Sequence, residues 1–264
     1  MKRVLLIIVC LLIAGSSFAQ KGFKIGVFAG PQLGSHLNAF DANLTAPTYT
    51  GSPLWGLNTG VSVGYHFVDM FGIKTQLVYS QQGNSYLRTV NDVETRFVDR
   101  LDYLKIPLLF GFNTATDRRK VSFVLFVGPQ LSFLSRVAEY NDNADFGLIE
   151  GYDDSKIPLE SGELIISRPG AELYIDQLFG LVGETGVDIR LSEENIYLNI
   201  RLRGDLTFGD LEDKSQNATT FKDGVSSTFS YWNNAHGASN NRNDITQALA
   251  TALTIGITYN FSAN

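Results

Sequence analysis

The chain contains few of the residues that carry metal-binding or nucleophilic chemistry. Its 264 residues include one cysteine, Cys10, and three histidines. We expect the N-terminal segment that holds Cys10 to be removed, which leaves no thiol for a disulfide, a metal site or a nucleophile. Charged residues make up 18 % of the sequence, below the ~25 % typical of soluble domains. The net charge of −6 argues against a nucleic-acid partner.

Long hydrophobic runs are missing after Gln20. No stretch there reaches the roughly 18 apolar residues that a membrane-spanning helix needs. Before it, Lys2 and Arg3 precede the apolar run Val4–Ala14, and small residues follow ahead of a cut before Gln20. This is the pattern of a secretory signal peptide, and its apolar run is too short to span a membrane. We therefore predict that residues 1–19 are cleaved and that residues 20–264 form one domain.

What the chain has in abundance is alternation of apolar and small or polar residues. It is clearest in Leu249–Phe261, where Leu, Ile and aromatic residues alternate with Ala, Thr, Gly and Asn. Such a period of two over ten or more residues predicts a β-strand. A strand of this length, with a rise of ~3.3 Å per residue and a tilt of ~40°, spans roughly 33 Å, enough to cross a bilayer. Seven other segments are predicted as strands: Phe23–Gly34, Trp55–Phe67, Phe71–Ser80, Asp102–Phe112, Val121–Phe133, Leu178–Leu191 and Ile196–Phe208.

The connections between these segments alternate in length. Long connections (Ser35–Leu54, Gln81–Leu101, Leu134–Gln177 and Gly209–Ala248) are separated by much shorter ones. Long outer loops and short periplasmic turns are typical of outer-membrane barrels. We predict an all-β fold, an eight-stranded antiparallel up-and-down transmembrane β-barrel with long extracellular loops. The even strand number predicts that both termini are periplasmic.

Aromatic residues at the ends of the strands indicate which face meets lipid. A soluble barrel would turn its apolar face inward, but a packed core gives no reason to keep aromatics at strand ends. In a membrane barrel they form girdles at the two interfaces. The apolar faces are therefore predicted to contact outer-membrane lipid. The predicted aromatic girdle comprises Trp55, Phe67, Phe71, Phe208, Tyr259 and Phe261.

The opposite faces of the strands place charged residues inside the barrel. Arg201 and Arg203 would each cost ~2–4 kcal/mol in contact with lipid near the midplane, so they must face the lumen. Buried charges need compensation, which predicts a paired, hydrogen-bonded polar core. A proton or ion path is the alternative interpretation. The predicted lumen cluster comprises Lys74, Lys105, Glu184, Asp188, Arg190, Arg201, Arg203 and Asp205.

Few residues outside the lumen suggest chemistry. His36 and His236 fall in the predicted outer loops one and four, where a rim enzyme acting on lipid would need them. No spacing typical of a catalytic triad accompanies them. The third loop carries nine carboxylates between Arg136 and Glu172, which indicates a solvated loop or at most a weak site for divalent cations. We predict no catalytic activity, no cofactor and no dedicated metal site.

With strands and turns assigned, the sequence resembles the PorT-like outer-membrane β-barrel proteins widespread in Bacteroidota. The matching segments, in chain order, are KIGVFAGPQLGS, GIKTQLVYSQQGNS, YLKIPLLFGF, FVLFVGPQLSFL and GITYNF. The resemblance covers Phe23 to Phe261 and implies an eight-stranded outer-membrane barrel. It implies little about activity, because the namesake assists a secretion system and most relatives have no assigned role.

We predict a structural or surface-binding role that the outer loops carry out. The alternatives are a rim enzyme acting on outer-membrane lipid and an accessory component of a secretion system, so a surface or secretion-system protein is a possible partner. Tyr259 and Phe261 near the C-terminus resemble the aromatic signal that outer-membrane assembly machinery reads. We therefore predict that this machinery binds the C-terminal strand.

Overall fold

A computed structural model describes residues 22–38, 49–67, 70–90, 93–114, 120–141, 163–166, 175–191, 195–211 and 246–261. No helix in this described part of the chain is long and apolar enough to cross a membrane. Its elements are β1 (Phe23–Asn38), β2 (Tyr49–His66), β3 (Phe71–Val90), β4 (Val93–Asn113), β5 (Val121–Asn141), β6 (Glu163–Ile166), β7 (Gln177–Arg190), β8 (Ile196–Phe208) and β9 (Thr246–Asn260).

Eight of these strands close into an antiparallel barrel, as the sequence predicts. Each pairs with its neighbours in the order β1-β2-β3-β4-β5-β7-β8-β9, and β9 returns to pair with β1. Closure matters because an open edge in lipid would leave backbone groups without hydrogen bonds. The short β6 adds to one end of β5 and lies outside the closed ring.

The register turns one face of every barrel strand outward. In β9, Leu253 is 52 % exposed while its neighbours Ala252 and Thr254 are buried. The same alternation runs through β5, where the sequence is apolar on both faces and gives no facing by itself. A continuous band of exposed Leu, Ile, Val and Phe side chains thus surrounds the barrel. Apolar surface on this scale marks contact with a membrane.

Several strands are longer than the sequence predicts. The segment Gln81–Leu101, predicted to be outer loop two, belongs instead to β3 and β4, which pair from the membrane band up to Val90 and Val93. Beyond the lipid a strand needs no apolar face, so the alternation that marked its membrane part stops while the backbone pairing continues. For the same reason β5 runs to Asn141 and the predicted third loop contains β6.

The connection between β7 and β8 shows how a short turn is made at the other end of the barrel. Asn195 adopts a φ of 63°, a left-handed conformation that Asn tolerates better than most residues. Leu191 N donates to Ile196 O at 2.9 Å. Arg190 Nη2 donates to Asn195 Oδ1 at 3.2 Å. The barrel therefore has a turn end, where β1 begins and β9 finishes, and an opposite loop end.

Candidate functional site

The lumen holds the densest group of buried charged side chains in the described part of the chain. Inward positions of β3, β4, β7 and β8 supply them, because the register sends every second residue of these strands to the interior. Arg203 is 1 % exposed and Lys105 is fully buried. At these positions the energetics depend on whether each charge has a partner.

Arg203 on β8 joins the largest number of partners in this group. Its Nη1 donates to Glu184 Oε1 at 2.8 Å and to Gln76 Oε1 at 2.6 Å. Its Nη2 donates to Gln130 Oε1 at 2.6 Å, and its Nε donates to Asp205 Oδ1 at 3.0 Å. The planar guanidinium presents its donors in a fixed fork, so one side chain ties four strands together.

Lysines complete the pairing of the two carboxylates that Arg203 contacts. Lys105 Nζ donates to Asp205 Oδ2 at 3.0 Å. Lys74 Nζ forms an ion pair with Glu184 Oε2 and lies 4.4 Å from the centre of the Phe126 ring. Each carboxylate is thus shared between an arginine and a lysine.

A second group lies nearer the turn end of the barrel. Arg201 Nη2 pairs with Asp188 Oδ1, and its Nη1 donates to Val187 O at 2.7 Å. Asn199 donates to the same Asp188 oxygen and accepts a hydrogen bond from the Thr258 hydroxyl. The structure therefore brings seven of the eight predicted lumen residues into two ion-pair groups.

Arg190 is the predicted member that lies apart. It shares the inward face of β7 with Glu184 and Asp188, but its guanidinium bonds to Asn195 in the turn. Arg190 is the last residue of its strand, so its long side chain reaches the turn instead of the groups above. Its hydrogen bond to Asn195 therefore links the end of β7 to the turn that precedes β8.

The charge pattern of the sequence does not indicate the glutamine contacts, because glutamine carries no charge. Gln130 bonds to Arg203, and Gln32 accepts from Asn58 Nδ2 at 2.6 Å and donates to Ser80 Oγ at 2.8 Å. A signal was present, since GPQL occurs twice, at 30–33 in β1 and at 128–131 in β5. In both copies the proline is outward and the glutamine is buried in the lumen.

The glycine of each GPQL copy allows a close approach between strands. A Cβ built on Gly30 would lie 1.9 Å from the carbonyl oxygen of Leu253 on β9. A Cβ on Gly128 would lie 1.9 Å from the carbonyl oxygen of Leu108 on β4. Any larger residue would push the neighbouring backbone away, so the repeat fixes strand spacing and glutamine position together.

Two buried apolar clusters also lie in the described lumen. Leu109, Val124, Phe126 and Val182 form one buried cluster beside the ion pairs. Toward the loop end a second buried cluster contains Leu101, Tyr103, Leu134, Val137, Leu178, Leu211 and Ala248. The interior of an eight-stranded barrel is just wide enough for side chains to fill, whereas barrels of roughly 16 to 18 strands leave an aqueous channel.

A cavity of about 60 Å³ remains at the turn end. Its lining includes Lys24, Ser62, His66, Arg201 and Asp188. Lys24, on the inward face of β1, is a further lumen residue that the apolar alternation of that strand does not indicate.

The predicted girdle residues lie in two belts on the outer surface. Trp55 and Phe208 belong to a loop-end belt, where Phe208 lies 6.2 Å from Phe179 between ring centres. The other four girdle residues and two neighbours form a turn-end belt of six: Phe23, Phe67, Phe71, Phe112, Tyr259 and Phe261. Along β2 the twelve residues from one belt to the other cover roughly 30 Å of membrane normal.

Of the two histidines proposed for rim chemistry, the structure describes only His36. His36 was predicted to lie in a loop, but it lies in β1 opposite Ala248 of β9. His236 and most of the acidic third loop lie outside the described residues. Within the described ranges, no three His, Cys, Asp or Glu side chains are grouped as metal ligands would be.

Comparison with known proteins finds a family that matches most of the chain. Residues 18–211 match the family described as outer membrane protein beta-barrel domain. A comparison with curated proteins gave no match.

Several solved structures are similar to the chain at low identity. Neisserial surface protein A (NspA) is 13 % identical, with a TM-score of 0.40, and the match covers 90 % of this chain and 96 % of that one. Ail, the attachment invasion locus protein of Yersinia pestis, is 10 % identical, with a TM-score of 0.37 and coverage of 91 % and 99 %. The N-terminal β-barrel domain of Pseudomonas aeruginosa OprF is 10 % identical, with a TM-score of 0.35 and coverage of 91 % and 98 %.

Proposed function

This chain belongs to the outer membrane protein β-barrel domain family, and from that premise we propose that it is a surface-binding barrel. The bonded side chains of its lumen act as a brace, by which we mean that they keep the barrel rigid. The part that binds a partner is the β-sheet that projects from the loop end. The barrel acts by contact and not by catalysis. A signal peptide at residues 1–19 directs it to export, and the turn end with both termini faces the periplasm.

The observation that carries this proposal is the length of strands β2 to β5. Beyond the loop-end belt, β3 and β4 remain paired from Ser85 and Val98 up to Val90 and Val93. β5 continues to Asn141 and takes β6 as a further neighbour. The six residues Ser85–Val90 correspond to roughly 20 Å of projecting sheet at ~3.3 Å per residue. Lipid does not require this extension, so we infer that it serves recognition.

The packed lumen supports a brace in preference to a pore. The hydrogen bonds and ion pair of Arg203 link β3, β5, β7 and β8, and the apolar cluster lies nearer the loop end. A stiff barrel holds the projecting sheet in one orientation, and a preorganised surface loses less entropy when it binds. The PorT-like resemblance makes a secretion component one candidate partner for the sheet.

Cysteine labelling combined with crosslinking tests this proposal. The chain has no cysteine after Cys10, so Thr89→Cys gives one reactive site on the projecting hairpin. It should react with a membrane-impermeant maleimide in intact cells, and Lys120→Cys at the turn end should react only after the outer membrane is opened. A photoreactive maleimide at residue 89 should then give a discrete adduct with a surface macromolecule.

A shortened hairpin provides the control. Replacing Ser85–Val98 by Asn-Gly keeps the pair Asn84↔Asp99 as the last of the ladder and supplies a favoured two-residue turn. The shortened barrel should still assemble, as shown by a gel mobility that changes on boiling, but it should lose the partner in a pull-down with the purified adduct component. Labelling of residue 120 and not 89 in intact cells, or an adduct partner that binds the shortened barrel equally well, would contradict the proposal.

A further inference from the structure

The cavity at the turn end of the lumen has an excess of positive charge. Around it and the adjoining ion pairs lie five cationic side chains: Lys24, Lys74, Lys105, Arg201 and Arg203. The same region of the described chain supplies three carboxylates, Glu184, Asp188 and Asp205. Buried charge without a counter-charge is costly, and a bound anion is one way to offset this imbalance.

Lys24 is the cation without an anionic partner. Glu184 and Asp205 are each shared between a lysine and Arg203, and Asp188 pairs with Arg201. No carboxylate of the described residues lies within ion-pair distance of Lys24 Nζ, and the centre of the Tyr197 ring lies 5.6 Å from this nitrogen. This ammonium group, half-buried beside the cavity, can donate up to three hydrogen bonds.

Two side chains of β2 that can act as neutral donors line the same cavity. His66, the last residue of β2, has both ring nitrogens buried and without a hydrogen-bond partner among the described residues. Ser62, which carries a hydroxyl group, also lines the cavity. It lies two inward positions before His66 on β2. A neutral imidazole donates one N–H and a hydroxyl donates one O–H. Lys24 pairs with Gly64, which lies between Ser62 and His66 on β2, so these three donors line the same wall of the cavity and can contact one anion together.

The size of the cavity restricts the anion to a small one. A single water needs about 10–15 Å³ of such space, so about 60 Å³ admits several waters or one group of similar bulk. We propose that this cavity binds a small oxyanion such as phosphate, with Lys24 as its principal charge partner and His66 and Ser62 as neutral donors. The anion offsets the excess positive charge of the lumen, and its binding is independent of the surface recognition proposed above.

Calorimetry with inorganic phosphate tests the site on the whole barrel in phosphatidylcholine nanodiscs at constant ionic strength. We expect saturable binding that Lys24→Gln weakens by about tenfold or more, equivalent to ~1.4 kcal/mol. Lys24→Arg should retain it. Lys120→Gln is the matched control, because Lys120 is an exposed lysine at the same end of the barrel and its loss should leave the affinity unchanged.

A second arm identifies the source of the oxyanion. In phosphatidylglycerol nanodiscs titrated with the same inorganic phosphate, a lipid headgroup in the cavity would weaken the apparent phosphate affinity of the wild type and not that of Lys24→Gln. Competition of this kind supports the site with a headgroup as its ligand, and unchanged phosphate binding supports a free anion. Absence of saturable phosphate binding in phosphatidylcholine nanodiscs, or equal affinity there in Lys24→Gln and the wild type, would overturn the proposal.

Discussion

Replacing Arg203 with methionine tests whether the lumen network braces the barrel. Methionine keeps much of the volume and is uncharged, so the change removes the guanidinium and little packing. The variant leaves Gln76 and Gln130 without the donor they face. It also leaves Glu184 and Asp205 with one lysine each.

The expected cost follows from those contacts. Removing one partner of a buried ion pair typically costs about 3–5 kcal/mol, because the remaining charge stays buried. Lys74 and Lys105 offset part of that cost. The two glutamine acceptors add about 1–3 kcal/mol each if they find no other donor. We therefore expect Arg203→Met to lower the free energy of unfolding by about 3–5 kcal/mol. Arg203→Lys, which keeps the charge and loses the fork, should cost less.

Equilibrium unfolding in guanidinium from lipid vesicles measures this free energy. Trp55, 68 % exposed on the loop-end belt, reports the loss of the lipid environment through its fluorescence. Lys120→Met is the control, since an exposed substitution should change stability by no more than about 0.5 kcal/mol. If Arg203→Met unfolds within that same range, the network does not brace the barrel and the reasoning fails.

Two further predictions concern the lipid face and closure. Leu253→Arg places a charge in the exposed apolar band of β9 and should cost about 2–4 kcal/mol in the same unfolding assay; a loss no greater than that of Leu253→Met would show that this face does not contact lipid. Deleting Thr258–Asn264 removes the β9 partners of Gly26, Ile25 and Lys24 and should abolish outer-membrane assembly, whereas deleting 142–162 should not. Gel mobility before and after boiling distinguishes assembled from unassembled protein. A band whose mobility changes on boiling in the Thr258–Asn264 deletion would show that assembly does not require this segment.

The sequence predicts the barrel well because the membrane imposes one rule on every strand. Wherever lipid lies on one side, apolar residues must alternate with others, and the facings of β2 and β8 follow from their alternation alone. In β5 that rule is ambiguous, since Val124 and Phe126 are apolar yet face inward. Pairing with β4 and β7 decides its facing, and pairing is not visible in a single sequence.

The same rule explains what the sequence does not predict. Outside the membrane it no longer applies, so the upper parts of β3 and β4 were assigned to a loop. Inside the lumen, charge identified Glu184, Arg203 and Asp205 but not the glutamines bonded among them. On the inner face of β1, Lys24 is followed by Gly26 and Phe28, so no stripe of polar residues marks its position in the sequence.

The seam between β1 and β9 has a consequence for how the chain tolerates change. These strands lie at opposite ends of the described chain, so their pairing closes a circuit that contains all the other connections. The entropy cost of closing a flexible circuit grows only with the logarithm of its length, about 0.6 kcal/mol for each doubling. Residues added to 142–162 or 212–245 therefore change the cost of closure very little. Barrels of this design can lengthen and diversify those connections over evolutionary time while the seam stays intact.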